Sequence, residues 1–191
     1  MIKKMSALRT LAATTLAAVA CLAVSGCESL GEAMKPTAVE RVTYKPVAKP
    51  EWKDQTIFID FDVNTNIWGS EVASSLSLNI RDKLIEGTVE DKIFHVQDQN
   101  TGAKYLYRIW IVIADPVITV SANGVIQGIS ATFRIKSYDK KGNLVTAKTR
   151  EERYKAPSFT VASGDSQRKL LDDFAHNAAE GIRQTMYESL N

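Results

Sequence analysis

The sequence predicts a two-layer α+β domain, with a mainly antiparallel sheet and two amphipathic helices on one face. Residues 56–63 and 125–136 alternate apolar and polar side chains as strands do, and two further segments repeat apolar residues at helical spacing. Asn123-Gly124 is a typical hairpin turn. Together these patterns give the order β-α-β-β-β-β-β-α along the chain.

The first three elements form a strand-helix-strand unit. The strand over residues 56–63 places its apolar side chains on one face, namely Ile57, Ile59, Phe61 and Val63. A helix is predicted from about Ser70 to Glu86, with Gly87 as its C-terminal stop. Its buried stripe repeats every four residues at Val72, Leu76, Ile80 and Leu84. Residues 92–97 form a short second strand, which the helical crossover makes parallel to the first.

The remaining elements are mostly strands. Residues 104–114 are apolar on both sides, as in a central strand, and Asp115-Pro116 is predicted to break or bend it before a short strand over 117–120. The next strand has one apolar face, formed by Val125, Gln127, Ile129, Ala131, Phe133 and Ile135. After a turn at 139–143, a strand over 144–154 returns beside it. A closing helix over about 166–190 buries Leu171, Phe174, Ala178, Ile182, Met186 and Leu190.

The N-terminus has the layout of a secretory signal, with three basic residues before an apolar stretch that is too short to span a bilayer. The run Val24-Ser25-Gly26-Cys27 is similar to the lipobox of bacterial lipoproteins. That similarity implies cleavage before Cys27 and attachment of acyl chains to it, which anchor a protein stably when there are two or three. A plain signal peptide cut after Gly26, or an uncleaved anchor, is the alternative.

The chain is therefore divided into a leader, a tether and one domain. Glu28 follows the cysteine where Asp would favour the inner membrane, so the outer membrane of a Gram-negative cell is predicted. Three prolines and little apolar periodicity indicate a flexible tether after Cys27. Tyr44 and Trp52 are able to dock on the domain, but a solvated linker is the default interpretation. The predicted segments are 1–26 (signal peptide), 27–55 (lipidated N-terminus and tether) and 56–191 (periplasmic domain).

Charge and cysteine content exclude several classes of function. Loss of the leader removes Lys3, Lys4 and Arg9, which leaves 21 of the 24 basic side chains against 22 acidic ones. Such a near-neutral mixture argues against nucleic-acid binding, which needs a basic face. Cys27 is the one cysteine outside the leader, and lipid would occupy its sulfur. The sequence therefore predicts no disulfide, no zinc site and no cofactor.

A search for catalytic groups finds weak candidates only. Asp60 and Asp62 share a strand face, as paired carboxylates do, but no third ligand is evident and a solvated strand face is predicted. His95 and His176 are interpreted as surface residues. The loop from Ser163 to Ser166 lacks the strand context and the base of an activated serine, so it is interpreted as the start of a helix. No catalytic residue and no enzyme activity are predicted.

Two features favour an interaction protein. Ile67-Trp68 lies in an Asn-rich loop before the first helix, and tryptophan is enriched at interface hot spots; a plug at the start of the helix is the alternative. Leu106, Trp110 and Val112 form one side of the central strand. If the helices cover the other side, this patch needs a cover from the tether, a partner or a second copy, with simple burial as the alternative.

The lipobox, the tether and the order of elements resemble those of the YajG-like lipoproteins of Gram-negative outer membranes. The similarity is best over residues 105–190, including the strand end Ile113-Ala114-Asp115 and the turn at 139–143. It implies an outer-membrane lipoprotein facing the periplasm, and it brings no catalytic or ligand-binding residues with it. The architecture is also broadly similar to that of accessory lipoproteins of envelope assembly, by fold analogy.

The sequence thus predicts a non-enzymatic lipoprotein, held to the membrane through Cys27, that binds an envelope protein or itself. The alternative is a carrier of a small ligand or lipid, which would use an apolar cleft between the helices and the sheet. A cavity in that position would favour the carrier, whereas a flat exposed patch around Trp68 or Trp110 would favour a partner-binding module.

Overall fold

A computed structural model of the chain describes residues 39–62, 71–99, 102, 104–155 and 164–191. Over these residues the chain forms five strands and two α helices, preceded by a single-turn 3-10 helix at Pro50–Trp52. The elements are β1 (Gln55–Asp62), α1 (Glu71–Glu90), β2 (Phe94–Gln97), β3 (Tyr107–Val120), β4 (Ile126–Asp139), β5 (Leu144–Lys155) and α2 (Gly164–Leu190). Neither α helix of this described part offers an apolar run long enough to cross a membrane.

The strands form one mixed sheet in the order β2-β1-β3-β4-β5. β1 pairs in parallel with both β2 and β3, so the predicted parallel strand-helix-strand unit is confirmed. The longer pairings, β3 with β4 and β4 with β5, are antiparallel. β3 lies at the centre, which agrees with its apolar composition on both sides.

Both helices pack on one face of this sheet. The side chains of Ile109, Ile111 and Ile113 on β3 and Phe133 on β4 point to that face and are fully buried. The predicted stripe of α2 faces them, and Ile182 is likewise fully buried. Because apolar burial is concentrated between one helical layer and one sheet, the predicted two-layer α+β class is confirmed.

The structure joins two predicted strands into one. β3 continues through Asp115-Pro116 to Val120, where the sequence predicted a break and a separate strand over 117–120. The pairing of β3 with β4 shifts its register between Ala114 and Val117. Such a bulge accommodates a proline, which has no backbone N–H to donate to the neighbouring strand. The described part of the chain therefore has five strands instead of six.

A second shift changes which residue of β4 faces the core. The sequence placed Val125 and Gln127 on the buried face, but Ile126 is the buried residue and Gln127 is exposed. The register of the β3–β4 pairing shifts between Thr119 and Val120, where Gln127 is the extra residue. One added residue reverses the alternation at the end of the strand, while the alternation from Ile129 to Ile135 follows the prediction.

Helix α1 begins where it was predicted to begin, but it differs from its prediction in one residue of its buried stripe and in its C-terminal end. Leu76, Ile80 and Leu84 are buried as predicted, but Val72 is 48% exposed. The helix also passes through Gly87 and ends at Glu90, so Gly87 is not its stop. A Cβ at Gly87 would lie 3.4 Å from the Arg183 guanidinium of α2, which shows that the glycine allows a close approach of the two helices.

The largest correction concerns the predicted tether. Residues 39–54, named the strap below, pack along α2 instead of forming a flexible linker. Trp52 is only 1% exposed, with its ring centroid 5.2 Å from that of Phe94 and 6.0 Å from that of Tyr187. Burial of so large an apolar side chain stabilises the packed position of the strap. The folded part therefore extends at least from residue 39, whereas 27–38 lies outside the described residues.

Candidate interaction surface

The face of the sheet opposite the helices, named the outer face below, carries three parallel columns of different character. The pairing register places Asp60 of β1 beside Trp110 of β3 and Lys136 of β4. The next row in the same orientation contains Asp62, Val112 and Arg134. The outer face therefore has an acidic column on β1, an apolar column on β3 and a basic column on β4.

The apolar column is only partly covered. Trp110 and Val112 are half-buried, and the Lys136 ammonium lies 4.9 Å above the centre of the Trp110 ring. A cation over an aromatic face is attracted by the electron density of the ring, so Lys136 holds the indole against the sheet. Below this row, Phe58 is nearly buried by Tyr105, whose ring centroid is 5.9 Å away. The apolar column therefore leaves part of the Trp110 and Val112 side chains exposed, while Phe58 in the next row is packed.

The carboxylates of Asp60 and Asp62 share the outer face, as predicted from their spacing. Asp60 forms an ion pair with Arg108 of β3. That hydrogen bond raises the pKa of the Arg108 guanidinium, so the positive charge is held. Among the described residues there is no group of three His, Cys, Asp or Glu side chains that could hold a metal ion. The outer face thus places charged side chains of β1 and β4 on either side of the apolar ones of β3.

The other predicted positions are distributed differently. Cys27, Ile67, Trp68 and Ser163 lie outside the described residues. Leu106 immediately precedes β3 and packs against the buried core, so it does not join Trp110 and Val112 on the outer face. Its backbone N–H donates to the Thr56 carbonyl at 2.7 Å, which fixes the start of the β1–β3 pairing.

The two histidines take the positions of surface residues. His95 is exposed on β2. The Nε2 atom of His176 lies 3.0 Å from the Val42 carbonyl oxygen, which can only accept, so the ring nitrogen is the donor. His176 therefore helps to hold the strap on α2.

Sequence reasoning missed the hydrogen bonds between α2 and the strap backbone. Asn177 accepts from the Val42 N–H at 2.9 Å and donates to the Glu40 carbonyl at 2.8 Å. Arg41 pairs with the buried Asp173 at 2.6 Å. At the other end, Lys49 donates to the terminal carbonyl of Leu190 at 3.2 Å. The eight residue-to-residue steps from 41 to 49 cover about 26 Å when extended, which matches the rise of about 26 Å between 173 and 190 on α2.

A buried ionic cluster lies where the strap, α1 and α2 meet. Arg183 donates to Asp91 at 2.6 Å, to Glu180 at 2.5 Å and to the carbonyls of Gly87 and Tyr44 at 2.8 and 2.7 Å. Glu180 also accepts from the Tyr44 N–H at 2.6 Å. Because both carboxylates are at least nine-tenths buried, Arg183 is what keeps their charges compensated. One side chain thus joins three segments of the fold.

One signal in the sequence pointed to this arrangement. Tyr44 and Trp52 are aromatic residues within a segment that otherwise has the composition of a linker. On α2, Asp173 and Glu180 lie on the side of the helix away from its apolar stripe, where periodicity predicts solvent, and yet both are buried. Their burial depends on contacts with the strap and α1, which the periodicity of α2 does not show.

Tyr187 extends the cluster and gives it a pH dependence. Its hydroxyl donates to Asp91 at 3.0 Å, and burial, followed by the charge of Asp91, raises the pKa of Tyr187 far above its ordinary value. A raised folded pKa stabilises the fold below the unfolded pKa of about 10 and loses that contribution as the pH rises further.

We therefore expect the free energy of unfolding to fall above about pH 10, by up to about 1.4 kcal/mol per pH unit from Tyr187 alone. The Tyr187→Phe variant should have a shallower slope, because phenylalanine does not titrate. Urea denaturation at a series of pH values measures both slopes. Equal slopes for the parent and the variant would contradict the assignment.

The interior between the helices and the sheet is filled by side chains. Ile111, Ile135, Ile182 and Met186 are all fully buried there. A cleft of about 730 Å³ lies instead between α1 and α2, lined by Val72, Ser75, Leu76, Asn79, Arg168, Leu171 and Asp172. Its described walls are helical, so it is not the helix-sheet cavity that a carrier of the predicted kind would use.

No family model and no curated protein matches the chain. Among solved structures, it is similar to a protein of the family DUF330 from Xanthomonas campestris, with a TM-score of 0.53 and 10% identity over 78% of this chain and 94% of that one. It is also similar to the PelC dodecamer from Paraburkholderia phytofirmans, with a TM-score of 0.39 and 13% identity over 75% and 96% of the two chains.

A third likeness is to rare lipoprotein B from Shewanella oneidensis, with a TM-score of 0.38 and 11% identity, covering 71% of this chain and 96% of that one. At these identities, the likeness to the Xanthomonas protein shows a shared fold and nothing about activity.

Proposed function

We propose that this chain is a non-enzymatic lipoprotein of the Gram-negative outer membrane, related to the YajG-like lipoproteins that it resembles. Its domain binds a protein of the cell envelope, either a different one or a second copy of itself, through the outer face. The anchor is supported by the run Val24-Ser25-Gly26-Cys27 and by the basic and apolar leader before it. Acyl chains on Cys27 hold the mature chain to the membrane.

The observation that carries the binding function is the apolar column on the outer face. Trp110 and Val112 present apolar surface on the side of the sheet that faces away from both helices. Asp62 and Arg134 flank them and are exposed. An aromatic centre with a charged rim is the composition of protein-binding hot spots, in which a few residues supply most of the affinity.

The packing of the interior favours this function over that of a carrier. A carrier of an acyl chain needs an enclosed apolar volume, whereas the described helix-sheet interface is occupied by fully buried side chains such as Ile111 and Met186. This packing supports a binding surface on the outside of the sheet, where a partner would meet it without any rearrangement of the core.

The test is photocrosslinking in intact cells with a photoreactive phenylalanine derivative at position 110. We expect an adduct with an envelope protein, because Trp110 lies at the centre of the surface. Leu78 provides the matched control, since it is an apolar residue on α1 and 49% exposed. The same reagent at position 78 should give little or no adduct.

The Cys27→Ala variant separates the anchor from the surface. It should leave the membrane fraction and lose most of the adduct at position 110. Firm membrane association of this variant would overturn the anchor, and equal labelling from positions 110 and 78 would overturn the surface. A photoreactive residue at Trp68 tests the loop that the sequence also favoured.

A further inference from the structure

The charge columns of the outer face are complementary to each other. Asp60 and Asp62 lie on one side of the central column, and Lys136 and Arg134 lie on the other side at the same heights. In a flat representation, the face has negative, apolar and positive stripes about 4.8 Å apart. A surface with this pattern complements a copy of itself when the copy is turned over.

We propose that the outer face binds the outer face of a second copy of this chain, in a two-fold symmetric dimer. This inference rests on the proposed function, because it names the partner of the same surface. A two-fold contact is isologous, so every pair formed at one place is formed again at the symmetric place. Two charge rows would therefore give four ion pairs around a Trp110 centre.

The charges of the acidic and basic columns decide between two directions of the two-fold axis. When the axis runs along β3, Asp60 of one copy faces Lys136 of the other, and Asp62 faces Arg134. When the axis runs across the strands, each acidic column faces the acidic column of the other copy. Like charges placed opposite each other across an interface oppose binding, so the axis along β3 is favoured.

The dimensions of packed sheets permit these pairs. Facing sheets lie about 10 Å apart, a gap that long side chains from both sides bridge. Aligned sheets are rotated by about 30°, which displaces residues on a neighbouring strand by about 2.5 Å. Lysine and arginine side chains absorb a shift of that size. The Trp110 rings, which lie on the axis, meet at the centre of the contact.

Arg108 is the one described cation in the central column, and it lies in the row below Trp110. Its guanidinium is directed towards β1, where it pairs with Asp60 and lies 5.9 Å from the centre of the Phe58 ring. The charge is therefore displaced from the axis and compensated within its own chain. Asp62 and Arg134, which are exposed, form the better pair for a test.

The area at the centre of the contact sets the expected affinity. Three strands over five residues give a flat area of roughly 250 Å², well below the ~800 Å² per partner of a standard stable interface. The dimer is therefore weak in solution. Anchoring to one membrane raises the effective concentration of each copy, so the dimer forms on the membrane.

The experiment is crosslinking of the full-length chain in its membrane, using a cysteine at position 112. Val112 lies in the column on the axis, so two copies place this position face to face. A short bismaleimide is the reagent, because the separation of about 10 Å between facing sheets exceeds the about 7 Å that a disulfide bridges. We expect a crosslinked homodimer from Val112→Cys and none from Leu78→Cys on α1.

Charge reversal then tests the stripes. Asp62→Arg alone, or Arg134→Asp alone, in the Val112→Cys chain should reduce the crosslinked dimer by at least about tenfold, because each variant opposes like charges at two symmetric places. The two variants expressed together should crosslink with each other, and the double variant Asp62→Arg/Arg134→Asp should recover the homodimer. Both restore opposite charges at the two symmetric places: the double variant exchanges both pairs, and the mixed dimer exchanges one pair and keeps the other.

The mixed single variants and the double variant distinguish a lost ion pair from a failure to fold, because a variant that does not fold would not recover the dimer. Lys140→Asp, at an exposed position of the β4–β5 turn, is the charge control and should leave the dimer unchanged. Absence of a Val112→Cys homodimer, or absence of recovery, would overturn the self-pairing. If position 110 still gives an adduct with a different protein, only the self-pairing falls; if neither product forms, the proposed function falls as well.

Discussion

Replacing Trp52 by alanine is expected to lower the free energy of unfolding by about 3–5 kcal/mol, the range found when a buried large aromatic side chain is removed. Trp52 is 1% exposed and packs between the strap and the rings of Phe94 and Tyr187. The truncation removes these contacts and leaves a cavity that the single-turn helix at Pro50–Trp52 cannot close. Urea denaturation of the variant and the parent measures the difference.

Val47→Ala is the matched control for this substitution. Val47 lies in the same strap but is 78% exposed, so its truncation should change the stability by no more than about 0.5 kcal/mol. If Trp52→Ala unfolds at the same urea concentration as the parent, residues 39–54 contribute nothing to the stability of the fold. The prediction of a flexible tether over 27–55 would then stand.

The Arg183→Ala variant is expected to be destabilised by about 3–5 kcal/mol, because removal of one partner leaves the others as uncompensated buried charges. Arg183 donates to Asp91 and Glu180, whose side chains are only 10% and 7% exposed. The loss also frees the Tyr44 carbonyl, which Arg183 binds on the strap. Thermal or urea unfolding gives the magnitude, and hydrogen exchange at the strap should increase in parallel.

The pH dependence of this defect identifies its cause. Burial raises the pKa of Asp91, whereas the charge of Arg183 lowers it, so the pKa should rise further in Arg183→Ala. A carboxyl with a raised folded pKa stabilises the fold below its unfolded pKa and loses that contribution as the pH rises through the folded pKa. The deficit of the variant should therefore shrink as the pH is lowered towards 4.

Lys169→Ala provides the comparison on the same helix. Lys169 is 67% exposed and lies 3.4 Å from Asp173, so its removal should cost no more than about 1 kcal/mol, as for surface ion pairs. A similar loss in Lys169→Ala and Arg183→Ala would show that the buried cluster has no special part in stability.

Periodicity in the sequence was sufficient to predict an element wherever its apolar residues recur at a regular spacing on one face. It located β1, the central strand, the Ile129–Ile135 part of β4 and the buried stripe of α2, because burial of apolar side chains dominates those choices. It failed at the two bulges, where one extra residue reverses the alternation. Whether a bulge forms depends on the partner strand, which periodicity does not identify.

The strap and the end of α1 were missed for a related reason. Gly87 is a strong local signal to end a helix, but Arg183 of α2 packs against it and donates to its carbonyl at 2.8 Å, a tertiary contact made where the helix continues. Likewise, the backbone of 40–44 is bound by side chains of α2 that are more than 130 positions away in the chain. Tertiary contacts of this kind override local propensity.

The columns of the outer face could be predicted from the sequence in part. The alternation of β1, β3 and β4 predicted which side chains share a side of each strand. Only the pairing register, however, sets Asp62 level with Val112 and Arg134. The interaction surface predicted from the sequence therefore contained Trp110 and Val112 but none of the flanking charges.

The position of Arg41 has a consequence for how two copies stand on one membrane. Arg41 pairs with Asp173 of α2, on the helical side of the domain. A two-fold axis along β3 carries this point of one copy to an equal height in the other, whatever the tilt of α2. In the proposed dimer, Arg41 of the two copies would thus lie at the same level and on opposite flanks. A single bilayer perpendicular to the axis would be equally distant from both.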